Sequence, residues 1–153
     1  MSEIDRIVLH YDEMLSGAAW HGDNMWQMLD GLSVAVAAAR PWPSCHTIWE
    51  IVMHMIFWEE VATERLAGRR AGLVEERNFP STPEPSEVNW QATLAQLRAS
   101  NGKFREAVAA LDAARLDALS AAGKRSFYAE AHGLIEHHVY HLGQIVLLQK
   151  AQS

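Results

Sequence analysis

The stretch SFYAEAHGLIEHHVYHLGQIVLLQK, residues 126–150, decides how this chain folds. Ser126 is a good helix N-cap. Behind it Leu134, Ile135, Val139, Leu142, Ile145, Val146 and Leu148 recur at helical spacing, so the segment reads as one long amphipathic helix. On that helix His137 and His141 stand four residues apart, one above the other on the same face. The spacing lets both imidazoles reach one metal ion. His138 is rotated by about 100 degrees from His137, which predicts that it faces solvent or a partner subunit.

Outward from this helix the pattern stays helical. A first helix is expected over Ser2 to Ser16, with Ile4, Ile7, Val8, Tyr11, Met14 and Leu15 on one stripe. Gly17 and Gly22 bracket a break, and shorter helical pieces follow at Asp23 to Leu29 and Ser33 to Ala39 before Pro41 and Pro43. A second long helix opens near Ser44 to Thr47 and runs to about Ala67, with Ile48, Ile51, Val52, Met55, Val61, Ala62 and Leu66 as its core face. Arg69 to Pro85, with Gly72, Pro80, Pro83 and Pro85, reads as a long connection over the bundle. Ser86 caps a third long helix carrying Trp90, Leu94, Leu97, Phe104, Val108 and Leu111, and Asp112 to Ala122 is loop with some helical turn. Four amphipathic helices predict an all-α four-helix bundle, built as one domain over residues 1–153.

Composition narrows the function. The chain is 49% hydrophobic, which excludes disorder. A net charge of -6 with 13 Lys and Arg argues against a nucleic-acid or anionic-membrane partner. The one basic cluster, Arg65, Arg69 and Arg70, reads as a solvated helix end complementing the helix dipole. The N-terminal residues lack the pattern of a signal peptide, and no apolar run is long enough to span a bilayer. One cysteine, Cys45, permits no internal disulfide and points to the cytoplasm; it reads as a buried or inert thiol.

The chemistry rests on histidines. His54 borders the apolar stripe of the second long helix and is a third candidate beside His137 and His141. A core-facing imidazole costs free energy unless its nitrogens are satisfied. A metal satisfies one nitrogen and an outer acceptor the other. Three histidines leave coordination positions open for water or substrate, and imidazole suits nickel, zinc, iron or copper. The bland alternative is half-buried histidines bonded to carboxylates or to a dimer surface, since eight histidines in 153 residues make such a pair plausible by accident. His10, His46 and His132 read as surface or capping residues. Trp20, Trp26, Trp49, Trp58 and Trp90 read as core, with Trp20 or Trp58 as a candidate pocket wall and His21 as a further candidate site-lining residue. No strand-turn-helix context for a nucleophile appears.

Two of these runs resemble known motifs. His46-Thr47-Ile48-Trp49-Glu50-Ile51-Val52-Met53-His54 resembles the first metal-ligand motif of the DinB/YfiT-like metalloenzymes. His137-His138-Val139-Tyr140-His141-Leu142-Gly143-Gln144-Ile145 resembles their second, a histidine pair leading into Gly-Gln-Ile. Gly17-Ala18-Ala19-Trp20-His21-Gly22 resembles an N-terminal motif of one branch. The resemblance covers nearly the whole chain in order. It implies an up-down-down-up four-helix bundle with the long connection between helices two and three. It also implies a divalent metal, usually nickel or zinc, held by His54, His137 and His141, and a homodimer. Some such relatives are thiol-dependent S-transferases or isomerases that use a low-molecular-weight thiol; others have no known activity.

The leading expectation is therefore a metal-dependent transferase or hydrolase. In the first case the metal lowers the pKa of a bound thiol, in the second that of water. The alternatives are a non-catalytic bundle stabilised by metal and a dimeric bundle that binds a small apolar ligand. No motif specifies a substrate.

Overall fold

The computed structural model of the protein describes residues 1–152. Among them there is no strand, and seven α-helices, four of them long, carry the fold. The order is α1 (Glu3–Ser16), α2 (Met25–Leu29), α3 (Val34–Ala38), α4 (Ile48–Leu66), α5 (Glu75–Asn78), α6 (Glu87–Ala109) and α7 (Phe127–Lys150). A 3-10 turn at Ala113–Arg115 and an isolated antiparallel bridge between Leu119 and Ser126 shape the approach to α7.

Side-chain caps start the long helices where the sequence places them. Ser2 accepts from the Asp5 N–H while the Asp5 carboxylate accepts from the Ser2 N–H; Thr47 and Glu50 make the same reciprocal pair at α4. Ser86 and Ser126 cap α6 and α7 through the N–H groups of Asn89 and Ala129. Each such cap contributes about 1 kcal/mol. The connection after α4 differs from a plain loop in one respect, since its middle forms the single turn α5, which packs on α4.

α4 packs against α6 and α7, and α1 packs against the same two, so the last two long helices are clasped between the first two. The stripes expected to be apolar are the buried ones, with only Val8, Leu111, Val139 and Val146 half-exposed. Trp49 and Trp90 meet edge to face at 5.2 Å in the core. Their indole N–H groups donate to Thr93 Oγ1 at 3.0 Å and to the Leu32 carbonyl at 3.2 Å, as buried tryptophans require.

One expectation fails here. His138 faces neither solvent nor a partner: its side chain has 0% exposure. Its Nε2 lies 3.2 Å from the carboxyl of Glu59, equally buried on α4. The same carboxyl accepts from Asn101 Nδ2 on α6, at 3.1 and 3.0 Å, and from the Tyr11 hydroxyl on α1. Each of the other three long helices thus sends one polar side chain to a single α4 carboxyl in the core. Burial first, then the neighbouring Glu59, pushes the Tyr11 hydroxyl well above its ordinary range, so it stays a donor. Because α7 packs on both α1 and α4, a rotation of about 100 degrees from His137 carries His138 to the next seam rather than to water.

Candidate metal centre

His54 comes from the middle of α4, and His137 and His141 from successive turns of α7. The packing of these two helices brings the three rings together. His137 Nε2 lies 3.2 Å from His54 Nε2 and 3.1 Å from His141 Nε2. Two nitrogens each 2.0–2.1 Å from one ion stand about 2.8–3.4 Å apart for ligand angles between octahedral and tetrahedral. Both of these spacings fall inside that range, and all three ligand nitrogens lie within 4.8 Å of one another. Among the described residues this is the one group of three or more His, Cys, Asp or Glu compatible with holding a metal ion.

Hydrogen bonding decides which nitrogens carry protons. His54 Nδ1 lies 2.7 Å from the Asn78 carbonyl, which only accepts, so that nitrogen holds the proton and His54 Nε2 is bare. His141 Nδ1 lies 2.6 Å from Gln144 Oε1, while the Gln144 amide donates to the Tyr140 hydroxyl, so His141 Nε2 is bare as well. His137 Nδ1 is buried without a hydrogen-bond partner among the described residues, so no bond at that nitrogen fixes the ring's tautomer. A proton on His137 Nε2 can serve only one of the two lone pairs facing it. At least one close nitrogen pair is therefore left lone pair to lone pair, and a cation resolves all three at once.

The rings are also held in place. Phe79 is sandwiched between His54, at 4.0 Å and nearly parallel, and His46, at 3.7 Å. Asn78 fixes Trp58 as well, its Oδ1 accepting from the indole N–H at 2.9 Å. Trp58 stands edge-on to both His54 and His137. A cleft of about 490 Å³ opens beside His54 and His137 and is walled by Trp58, Arg65 and Glu130. Arg65 is no solvated helix end as expected: it pairs with the buried Glu130 at 3.0 Å and donates to the Ala71 carbonyl. Arg69 does behave as expected, pairing with Glu64 at the surface.

The other sequence candidates lie elsewhere. Trp20 and His21 are exposed at the break after α1, so Trp20 forms no pocket wall, whereas Trp58 does. His10 and the half-buried His132 face each other at 6.2 Å. Cys45 is half-buried and its thiol donates to the Trp42 carbonyl. Sequence reasoning missed Asn78, Phe79 and Glu130. Only Gln144 carried a local signal, three residues after His141 on the same helix.

Burial depresses all three imidazole pKa values, with repulsion from neighbouring histidines adding to it: His137 to about 3, His141 to about 4, and His54 below its ordinary value. At neutral pH the rings are uncharged, as ligands must be. In the unfolded chain they regain an ordinary pKa of about 6.5. The unfolded state then binds more protons as pH falls below that value, and the stability of the metal-free protein declines toward pH 4. Urea midpoints at pH 7.5 and 5.0 test this. The drop should be visibly smaller in a His137→Phe, His141→Phe double variant, and equal drops would contradict it.

The sequence profile of the DinB superfamily matches residues 18–145, a span that includes all three histidines. This chain belongs to the DinB superfamily. No significant match to it exists among the curated proteins or among the solved structures. As a DinB superfamily member it combines an all-helical fold with a three-histidine group compatible with metal binding. None of its described helices is long and apolar enough to cross a membrane.

Proposed function

We propose that this DinB superfamily chain is a metal-dependent enzyme, a thiol-dependent S-transferase or a hydrolase, whose ion is held by His54, His137 and His141. We read its four long helices as an up-down-down-up bundle forming one domain. The observation that carries the proposal is the set of three Nε2 atoms that can share at most one proton between them, beside a cleft lined by His54 and His137. Nickel or zinc fits the donor set, and iron also suits imidazole. Bound there, such an ion lowers the pKa of a thiol or water that joins it.

The chain's own residues prepare the site. Asn78 and Gln144 hold the protons of His54 and His141 on Nδ1, leaving Nε2 free. The Phe79 stack fixes the plane of His54, and Trp58 limits water access from one wall. The Arg65–Glu130 pair stiffens the cleft without a net charge. Three protein ligands leave positions open for the reacting molecule, as catalytic sites need. We place the protein in the cytoplasm as a homodimer, on the grounds of its single cysteine and its family resemblance.

Nickel- and zinc-loaded protein, assayed with low-molecular-weight thiols plus an electrophile and with simple esters, tests the proposal. Turnover that chelation abolishes and metal restores supports it. Loading that raises the melting temperature while no thiol or ester turns over would establish the non-catalytic, metal-stabilised alternative instead.

A further inference from the structure

The cleft beside the three histidines has a second end. Lys124 and Arg125, on the turn before α7, line it together with Gly133. The Arg125 guanidinium lies across α7 at Gly133, where an added Cβ would stand 3.5 Å from it. Gly133 is one helical turn before His137 on the same face, about 6 Å along the axis. A cation therefore sits one turn from the candidate metal centre, above a position with no side chain in the way.

These two cations belong to the minority of the chain's Lys and Arg side chains that no acid holds. Seven arginines are paired with carboxylates, at Glu3, Glu50, Glu130, Glu64, Glu60, Asp30 and Asp12. Lys124 and Arg125 have no carboxylate partner among the described residues. The one acid in the cleft wall, Glu130, is already committed to Arg65 and to the Ser120 hydroxyl at 3.1 Å. In a chain of net charge -6 this cleft, beside the three histidines, thus carries two positive charges that no acid in its wall compensates.

We infer that this end of the cleft binds the anionic group of a small-molecule substrate, with Lys124 and Arg125 setting that specificity. The inference deepens the enzymatic reading of the same site and rests on it. The molecule has one end at the histidines and a carboxylate or comparable anion one helical turn away. Arg125 supplies a fork suited to a carboxylate, and Lys124 a mobile point charge.

Titration of isotope-labelled protein, metal-free and zinc-loaded, tests it by nuclear magnetic resonance with three probes of similar length: glutarate, neutral glutaramide and cationic 1,5-diaminopentane. Glutarate should shift the amides of residues 122–134 and the Trp58 indole saturably. At water-like screening each rim cation strengthens binding about fivefold. Glutaramide should therefore bind about tenfold or more weakly, and a Lys124→Ala, Arg125→Ala double variant should lose the difference while keeping its zinc. Equal binding of glutarate and glutaramide, or undiminished glutarate binding by the double variant, would overturn the inference. The metal-free arm separates the two readings. Glutarate preference in protein that fails to load zinc, nickel or iron refutes the metal reading and leaves the anion site standing; zinc loading without glutarate preference does the reverse.

Discussion

A His141→Ala variant is expected to purify with almost no bound metal where the parent chain carries about one ion, as plasma mass spectrometry on untagged protein would show. His141 supplies one of three bare Nε2 atoms, and its own Nδ1 is committed to Gln144. Losing a ligand outright should cost more than the roughly 10–100-fold that follows loss of an outer partner. The helix itself should survive, because alanine is the best helix former and the core residues around it are unchanged. His138→Ala is the control: one position from His137, it should keep its metal. Full loading of the His141 variant would remove that residue from the site, and loss of metal from both variants would point to misfolding.

Glu59→Ala should produce the largest loss of stability of any single change considered. The substitution leaves the Tyr11 hydroxyl, the Asn101 amide and His138 Nε2 buried without their common partner. Stranding buried polar groups of this kind costs roughly 3–5 kcal/mol. At about 2–4 °C per kcal/mol for a chain of this size, the melting temperature should drop by roughly 6–20 °C. Glu59→Gln keeps the shape and one acceptor oxygen, so its loss should be smaller. Calorimetry on the metal-free proteins would decide it: a Glu59→Ala midpoint within about 2 °C of the parent would show that water replaces the carboxyl at little cost.

The contrast between these residues explains what was legible in the sequence. Helix starts were readable because a cap and its partner lie within three residues, as at Ser2 and Asp5 or Thr47 and Glu50. The pairing of His137 with His141 was readable for the same local reason. His54 was legible only as a polar residue on an apolar stripe and through its family resemblance. The Glu59 node was not legible, since its other members lie 42 to 79 residues from Glu59. A lone glutamate or histidine looks the same in the chain whether water or another helix satisfies it. The exposed Trp20 failed for the opposite reason: its size argued for burial, but it sits on a break between helices with nothing packed over it. Arg65 looked like a surface cation because Glu130, its partner, is 65 residues further on.

The Phe79 sandwich has a consequence for the order in which the centre assembles. His137 and His141 become neighbours as soon as one turn of α7 forms, whereas His54 is separated from His137 by 83 residues. Closing so long a loop carries an entropic cost that grows only slowly with length, but it is met by tertiary packing rather than by any local turn. The Asn78–Phe79 contact belongs to that packing, because it docks a connecting segment onto the His54 ring. A protein whose 69–85 segment came undocked would retain its long helices and its histidine pair while the third ligand swung loose. Grip on an ion would then serve as the most sensitive gauge of whether that segment has closed, well ahead of any change in helical content.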